Sequence, residues 1–559
     1  MKIIYSRHNL DRRDARLQRA FEILPGAMSW TLLLGMAGLA IFAQQTAAAI
    51  VIAFNFYWFL RITHSTIFLL FSFALLRAEQ QADWLARLRS LRTGSPPPEH
   101  PLSRWLFDER RRYWQARGER PLDPEDVRHV VIIPIAKEGA DVVEPGLRSL
   151  AAQSIGASQL LVLLAVEERA PESVRKEVEE MARRLRGVLP DLHVVIHPDG
   201  IPGEARVKGA NATYAARRAA SILRERGIPF HRATVSCFDA DTVVPPHYFA
   251  CLTYHFCIEP NRSRASFQPI PVYHNNIWLV PGFARVLEVG SSFFQLIEAT
   301  NPDTLVTFSS HSMSFQALHE VGYWPVDMIS DDSAIYWKAY LHFDGDYRVV
   351  PMFITVSMDV VTDTGWARTL HGLYKQKRRW AWGVENVPMI LRGFLKKSAI
   401  PLRDRFWHTV KMLEAHLAWT TWGFMLTVFN WLPAVAAGRE FSHSVMYYTA
   451  PRISALIFNL AGIALLTTIV LSQLLLPPPP SKRPILVRLQ HALEWLLVPV
   501  ITVLFSSIPA LDAQTRLMIG KRMEFWVAGK SGAASETVAG TQIPVTNEPS
   551  VESDPSPRR

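Results

Sequence analysis

The chain has 559 residues, of which 49% are hydrophobic and 20% are charged. That length exceeds one compact domain and that apolar content excludes an extended disordered chain, so a membrane protein with a sizeable soluble domain fits best. The net charge of +10 suits nucleic acid, an anionic membrane face or a phosphorylated substrate. The 3 cysteines have no metal-ligand spacing, so they support neither a disulfide framework nor a zinc site.

The stretch 27–76 predicts a hairpin of two membrane-spanning helices, because no charged residue occurs from Ile23 to Leu60. The polar residues 44–46 divide the two spans. We interpret the second span as one long tilted helix in which Arg61 snorkels or faces protein, since a charge in lipid is costly. A cleavable signal peptide is the competing interpretation, and it is disfavoured because the apolar run resumes at once.

Basic residues flank this hairpin on both sides, which predicts that the segments 1–26 and 77–127 both lie in the cytosol. Two further apolar runs predict a second membrane hairpin over 413–476, preceded by an interfacial helix over 391–412. The middle of the chain, between the two hairpins, is therefore expected to be cytosolic.

The C-terminal region is expected to return to the membrane once more. The stretch 491–511 is apolar but short, contains two prolines and has basic residues on both sides. We therefore favour a re-entrant segment there over a full transmembrane span. Residues 531–559 have few large apolar groups and predict a disordered tail.

Residues 128–390 alternate short β-branched runs with helical stretches, a pattern that predicts an α/β domain with a mostly parallel sheet. The first four strands are expected at Val130–Ile133, Leu160–Val166, His193–Ile196 and Ala233–Phe238. Because ligands gather at the carboxyl ends of such strands, the residues that follow each run are candidate site residues.

Asp239 and Asp241 follow the fourth predicted strand and form a D-x-D pair. Carboxylates one residue apart diverge, so one can hold a hard divalent cation while the other faces another part of the same ligand. Acidic pairs are also common in surface turns, and that alternative stays open on this motif alone.

Two predicted helix starts carry further charged residues. Arg206 and Lys208 lie where a glycine-bearing loop enters a helix, which suits an anionic phosphate, although a solvated basic face is the alternative. The triplet Ser330-Asp331-Asp332 opens a predicted helix over 333–341, where adjacent acids could also simply complement the helix dipole.

A third pattern is a helical face formed by Gln376, Arg379 and Trp380, which are spaced i, i+3 and i+4. This face would present an amide, a guanidinium and an indole to one ligand. The alternative is an amphipathic interfacial helix that uses Arg and Trp as membrane anchors.

In this order, the D-x-D pair, the Ser-Asp-Asp triplet and the Gln-x-x-Arg-Trp pattern resemble the motifs of the family 2 inverting glycosyltransferases. More narrowly, they resemble the cellulose and hyaluronan synthase-like membrane branch of that family. The resemblance implies a GT-A-like nucleotide-sugar-binding domain flanked by transmembrane helices. It also implies an integral membrane protein of the plasma or inner membrane whose catalytic domain is cytoplasmic.

The resemblance further implies a role for each matched residue. Asp239 would contact the nucleotide, and Asp241 would bind the Mg²⁺ or Mn²⁺ that bridges the donor diphosphate. Asp332 would be the general base. Arg379 would steady the diphosphate, whereas Gln376 and Trp380 would contact the acceptor sugar.

The chain departs from the family pattern after its first two strands. Glu138 and Glu167 stand there, and they are our candidates for contacts to the base or ribose of the donor. Near the C-terminus, the segment 512–530 resembles a gating loop of the family, with an ordinary juxtamembrane cluster as the alternative. The residues that match this loop are Phe525, Val527 and Lys530.

The leading hypothesis is a membrane-embedded, metal-dependent inverting glycosyltransferase that moves a sugar from a nucleotide-sugar donor to a growing polysaccharide. Single transfer to a lipid acceptor is the nearest alternative, and a non-catalytic transporter or scaffold is the alternative of another class. Expected partners are the donor, a carbohydrate or lipid acceptor and the lipid bilayer. Nucleic acid is not expected, because the basic residues concentrate beside the apolar spans. The sequence names neither the sugar nor any partner subunit.

Overall fold

The computed structural model of the protein describes residues 5, 10–95, 97, 100–363 and 365–523. The tail predicted over 531–559 lies outside these residues, so that prediction stays a prediction.

Two long apolar helices open the described chain. Helix α1 spans Arg12–Phe42, and Asp11 caps it by accepting a hydrogen bond from the backbone N–H of Asp14. Helix α2 spans Gln44–Gln80 as one uninterrupted helix, as expected from the sequence. Each is long and apolar enough to cross a membrane.

The predicted linker 77–127 is largely helical and packs on the soluble domain. It contains α3 (Trp84–Thr93) and α4 (Pro101–Arg117). The Arg87 guanidinium is fully buried and donates two hydrogen bonds to the Glu79 carboxylate, at 2.6 and 3.0 Å. Its Cζ atom lies 4.3 Å from the centroid of the Trp84 ring. This pair fixes the end of α2 to the linker.

A seven-stranded sheet in the order β3-β2-β1-β4-β6-β5-β7 forms the centre of the soluble domain. Its β1–β2, β1–β4, β2–β3 and β5–β7 pairs are parallel, and only the short β6 runs antiparallel to its neighbours. The predicted α/β domain with a mostly parallel sheet is therefore confirmed. The strands are β1 Arg128–Ile135, β2 Leu160–Glu167, β3 Leu192–His197, β4 Ala233–Cys237, β5 Ala265–Val272, β6 Ser312–Ser314 and β7 Arg348–Ser357.

Helices cover both faces of this sheet, and each face packs into its own apolar core. Strands β1, β2 and β4 are buried on both faces, which explains their continuous apolar sequences. The helices of this domain are α5 Ala140–Ala151, α6 Glu172–Leu185, α7 Lys208–Glu225, α8 Tyr248–Ile258, α9 Gly282–Glu298, α10 Phe315–Glu320, α11 Asp331–His342, α12 Trp366–Ala381 and α13 Asn386–Lys396.

The C-terminal part is helical up to the end of the described chain. Its helices are α14 Leu402–Thr427, α15 Leu432–Val435, α16 Arg439–Ser442, α17 Val445–Leu475, α18 Pro484–Glu494, α19 Val498–Thr502 and α20 Ile508–Met518. A 3-10 turn and a π-helical turn join the last three into one run, Pro484–Met518. Within the described residues, four helices have the length and composition of membrane spans: α1, α2, α17 and this run.

The helix boundaries in this region differ from the expected ones in two places, while the placement of these segments in the membrane stays a prediction. The interfacial helix expected over 391–412 is two helices, because α13 ends at Lys396 and Pro401 caps the start of α14. The first helix of the hairpin expected over 413–476 is α14, which begins earlier and is not among the four apolar helices. Charged residues extend beyond its first turns to Lys411 and Glu414, and they lower the mean hydropathy of the helix.

Candidate active site

Three of the predicted site residues meet at the carboxyl end of β4. Asp239 follows that strand, Lys208 begins α7, and Asp332 lies in the first turn of α11. The Lys208 Nζ lies 2.9 Å from Asp239 Oδ1 and 3.1 Å from Asp332 Oδ1, so one ammonium joins the two acids. Two carboxylates separated by about ninety residues of sequence are thereby held around one cation.

Glycine at position 209 permits this convergence. A Cβ at Gly209 would collide with the carbonyl oxygen of Pro325 and would lie 3.0 Å from the Cβ of Asp331. The start of α7 can approach the loop before α11 only because this side chain is missing. Lys208, the neighbouring residue, is thus carried to Asp332.

The charges at this point depend on one another. Burial alone would lower the pKa of Lys208, but Asp239 and Asp332 outweigh burial and hold the pKa well above its ordinary value. Burial also raises the pKa of Asp331 well above its usual range, and Asp332 adds to the rise while Lys208 opposes it. Burial therefore favours the protonated form of Asp331, whereas Asp332 is the acid that Lys208 contacts.

Asp241 lies deeper than Asp239 and is only 3% exposed. Its Oδ2 accepts a hydrogen bond of 2.9 Å from the backbone N–H of Asp359. The Asn275 amide donates to the Asp241 carbonyl at 2.9 Å and to Asp359 Oδ1 at 3.0 Å. Asp359 and Asn275 could not be identified from the sequence, because neither belongs to a spaced motif.

The acids of the D-x-D pair fit a cation shared with a ligand. Among the described residues there is no group of three or more His, Cys, Asp or Glu side chains that could hold a metal ion by itself. Mg²⁺ is commonly bound by one or two carboxylates together with substrate phosphates. The carboxylates of Asp239 and Asp241 suit such a site, in which substrate phosphates supply the other ligands.

The segment before β6 supplies polar groups that the motifs did not indicate. The Ser309 hydroxyl donates to Asp239 Oδ2, and the Ser310 hydroxyl lies 2.8 Å from that of Thr242. His311 is fully buried, with Nδ1 2.9 Å from the Phe308 carbonyl and 3.8 Å from Asp332 Oδ1. Burial lowers the pKa of His311, although Asp332 opposes this, so the imidazole is neutral.

Helix α12 carries the predicted acceptor residues to the edge of the acid cluster. Gln376 is buried, while Arg379 and Trp380 are half-buried. The Tyr273 ring lies 6.1 Å from the Trp380 ring. Arg379 opposes the rise in pKa that burial causes at both Asp331 and Tyr273, so its guanidinium is within electrostatic reach of the acids.

The two glutamates predicted to contact the donor, Glu138 and Glu167, both have partners within the protein, and their donor contacts stay a prediction. Glu138 Oε2 accepts hydrogen bonds from the backbone N–H groups of Ala136 and Lys137, at 2.8 and 2.9 Å. Glu167 is 6% exposed and forms an ion pair with Arg169. Glu167 and Arg169 line a cleft at the carboxyl ends of β2 and β3. The predicted gating residues Phe525, Val527 and Lys530 lie outside the described part of the chain.

Comparison with known proteins gives matches over this same region. Residues 234–471 match the family model described as glycosyl transferase family group 2. Poly-beta-1,6-N-acetyl-D-glucosamine synthase of Staphylococcus aureus (strain COL) is 31% identical over 177 residues, which cover 30% of this chain and 39% of the relative. The enzyme of the same name from Staphylococcus epidermidis is 29% identical over 233 residues, which cover 39% of this chain and 50% of the relative. The chain thus spans half or less of the length of these relatives.

Solved structures align with a larger share of the chain at low similarity. A mannosyltransferase from Pyrobaculum calidifontis in complex with GDP-Man and Mn²⁺ covers 68% of this chain and 98% of its own, at 17% identity and a TM-score of 0.36. Residues 1–349 of TarS from S. aureus with UDP-GlcNAc cover 60% of this chain and 90% of their own, at 14% identity and a TM-score of 0.30. Over residues 234–471, which contain the three motifs in order, the chain is thus similar to the glycosyl transferase family group 2, and the two relatives that it resembles are named as poly-beta-1,6-N-acetyl-D-glucosamine synthases.

Proposed function

We propose that this protein transfers a sugar from a nucleotide-sugar donor to a growing polysaccharide, by a metal-dependent reaction that inverts the anomeric carbon. The observation that carries the proposal is the joining of Asp239 and Asp332 by Lys208 at the carboxyl end of β4. In a parallel sheet, this is the edge at which ligands bind. Asp239 there serves the donor, and Asp332 serves the acceptor.

Asp332 is proposed as the general base. It is 23% exposed, so an acceptor hydroxyl can reach it, and its carboxylate takes the proton as that oxygen attacks the anomeric carbon. The bond from the anomeric carbon to the donor phosphate breaks in the same displacement, and the nucleoside diphosphate leaves. A single displacement of this kind inverts the configuration.

Lys208 and Arg379 are proposed to bind the donor diphosphate. Both are cations close to the acid cluster, and cations stabilise negative charge that grows on a leaving group. Asp241, with Asp239, would hold Mg²⁺ or Mn²⁺ against the donor phosphates, where the cation would offset that same charge. Gln376 and Trp380 would contact the acceptor.

The proposed setting is the inner or plasma membrane, with the sheet domain in the cytosol. In the described part of the chain, two apolar helices precede that domain and two follow it, which supports an integral membrane protein. The relatives are named as synthases of a β-1,6-linked N-acetylglucosamine polymer, so UDP-N-acetylglucosamine is the first donor to test.

The test is turnover by the full chain in membranes, with a panel of labelled nucleotide sugars and Mg²⁺ or Mn²⁺. We expect one donor to be consumed, and we expect Asp332→Asn to lower the rate by about 100-fold or more, because the base is lost. Asp303→Asn, at an exposed aspartate outside the acid cluster, is the matched control and should keep the full rate.

The form of the product separates the remaining hypotheses. A ladder of high molecular mass supports polymer synthesis, whereas a short product that partitions into organic solvent supports single transfer to a lipid. If no donor is consumed, or if Asp332→Asn is as active as the control, the proposed chemistry is wrong and a non-catalytic membrane protein becomes the better hypothesis.

A further inference from the structure

A buried ion pair lies directly against the indole of Trp380. Lys377 Nζ is 2.9 Å from Glu288 Oε2 and 3.0 Å from Ser291 Oγ, both of which belong to α9. The same Nζ lies 3.6 Å from the centroid of the Trp380 ring. Lys377 is 3% exposed and Glu288 is fully buried.

This arrangement is costly if its only task is to fill space. Removing two charges from water carries a desolvation penalty that their mutual attraction only partly offsets, and apolar residues of similar volume often stabilise a fold as well or better. Burial accordingly lowers the pKa of Lys377, with Glu288 acting against that shift. A role for the Lys377–Glu288 pair is therefore sought in its effect on the Trp380 indole that it contacts.

The ammonium covers one face of the Trp380 indole. Lys377 and Trp380 are three residues apart on α12, so their side chains lie over neighbouring positions of one helix face. Nζ donates two hydrogen bonds to α9, which hold it in place, and a cation over an indole face is attracted by the π-electrons. A sugar that stacks on this ring would therefore use the face opposite to Lys377.

We infer that Lys377, held by Glu288 and Ser291, is a positioning residue that sets the orientation of the Trp380 indole for the acceptor sugar. The inference rests on the proposed function and assigns a task to the second residue of the Gln-Lys-Arg-Arg-Trp run. It requires α9 and α12 to act together, because the ammonium is on one helix and its partners are on the other.

The experiment compares acceptor and donor kinetics of the full chain in membranes, with a defined oligosaccharide primer of the polymer as acceptor. The main variant is the double substitution Lys377→Met/Glu288→Gln, which leaves no unpaired buried charge. We expect its KM for the acceptor to rise about tenfold, since a cation–π contact of this kind is lost, while its KM for the donor stays unchanged.

The control is a second buried ion pair that also involves α9, through Arg285. Arg285 Nη1 lies 2.6 Å from Glu494 Oε1, and both side chains are at most 9% exposed. This pair does not contact Trp380, so the variant Glu494→Gln should leave the KM for the acceptor unchanged even if it lowers the melting temperature.

Three results would overturn the inference. They are an unchanged acceptor KM in the double variant, equal changes in the donor and acceptor KM, and an equal rise of the acceptor KM in the control. If the double variant does not fold, Glu288→Gln alone decides, because it keeps the lysine but weakens its hold on α9. Its acceptor KM is then expected to rise about threefold, as fits a weakened charged hydrogen bond, and an unchanged value refutes the inference. Absence of any transfer by the wild type would instead refute the proposed function.

Discussion

At the scale of single residues, Lys208 does more than its place at a helix start indicated. The sequence predicted a phosphate contact, and the structure shows an ammonium that joins Asp239 to Asp332. Motif spacing identifies which acids belong to a site, but it does not contain the distances between motifs that lie far apart in the chain. Asp359 and Asn275 were not predicted for a similar reason, since each reaches the site through the fold and not through a motif.

The first prediction concerns the glycine that brings α7 to the site. Gly209→Ala forces the start of α7 away from Pro325, and such overpacking typically costs about 1–3 kcal/mol. We expect donor turnover to fall by about tenfold or more as Lys208 moves from Asp332, as misplacement of a catalytic group does. Initial rates and a thermal melting curve measure both effects.

The matched control for this substitution is Gly290→Ala. Gly290 is exposed in the middle of α9, and a Cβ there would meet no atom within 4 Å. Alanine in a helix is more stable than glycine by about 1 kcal/mol, so this variant should be at least as stable as the wild type and fully active. Equal activity of the two variants would show that the close approach at Gly209 is not needed.

At the scale of elements, the sequence predicted β1 to β4, α2 and the helix that begins beside Asp332. The strands β5, β6 and β7 were missed for physical reasons. Pro269 and Pro271 interrupt β5, which has an irregular register next to them, and β6 has only three residues. The break between α13 and α14 depends on Pro401, which lies in a stretch whose hydropathy changes gradually.

The second prediction concerns the attachment of α2 to the soluble domain. Arg87→Met leaves the Glu79 carboxylate buried without its partner, which typically costs about 3–5 kcal/mol. Arg87→Met/Glu79→Gln should recover most of that loss. Unfolding of the purified protein in detergent, followed with increasing denaturant, measures the difference.

An exposed ion pair of the same linker provides the control. Arg92 pairs with Glu125, and their side chains are 49% and 69% exposed. Pairs of this kind contribute about 0–1 kcal/mol, so Arg92→Met should unfold almost as the wild type does. If Arg87→Met is no more destabilising than Arg92→Met, the buried pair does not hold α2 to the domain.

At the scale of the whole molecule, the C-terminal helical run contacts the helix that carries the acceptor residues. Asp512 Oδ2, on α20, lies 2.8 Å from Arg378 Nη1 and 3.1 Å from the Tyr374 hydroxyl, both on α12. The site is therefore built from the sheet edge on one side and from helices that continue into the apolar region on the other. The expected orientation in the membrane, and the re-entrant path of 491–511, remain predictions.

The overall architecture was predictable because hydropathy and β-branched runs extend over many residues. The convergence of Lys208, Asp239 and Asp332 depends on the strand order, which no motif contains. With β4 at the centre of the sheet, α7 and α11 both begin beside its carboxyl end, so that Lys208 and Asp332 meet Asp239 there. No local pattern in the sequence contains that order.

The central claim is that the acids Asp239, Asp241 and Asp332 form one site for a cation and an activated sugar. Binding at this site can be measured apart from sugar transfer. Calorimetric titration of the full chain with UDP or GDP in the presence of Mn²⁺ tests it most directly. We predict binding that weakens about tenfold or more in EDTA and in Asp241→Asn, since the cation links the carboxylate to the phosphates. Asp332→Asn should bind at least as tightly as the wild type, because Lys208 loses a competing partner. Binding of equal strength with and without the cation, and in Asp241→Asn, would contradict the account.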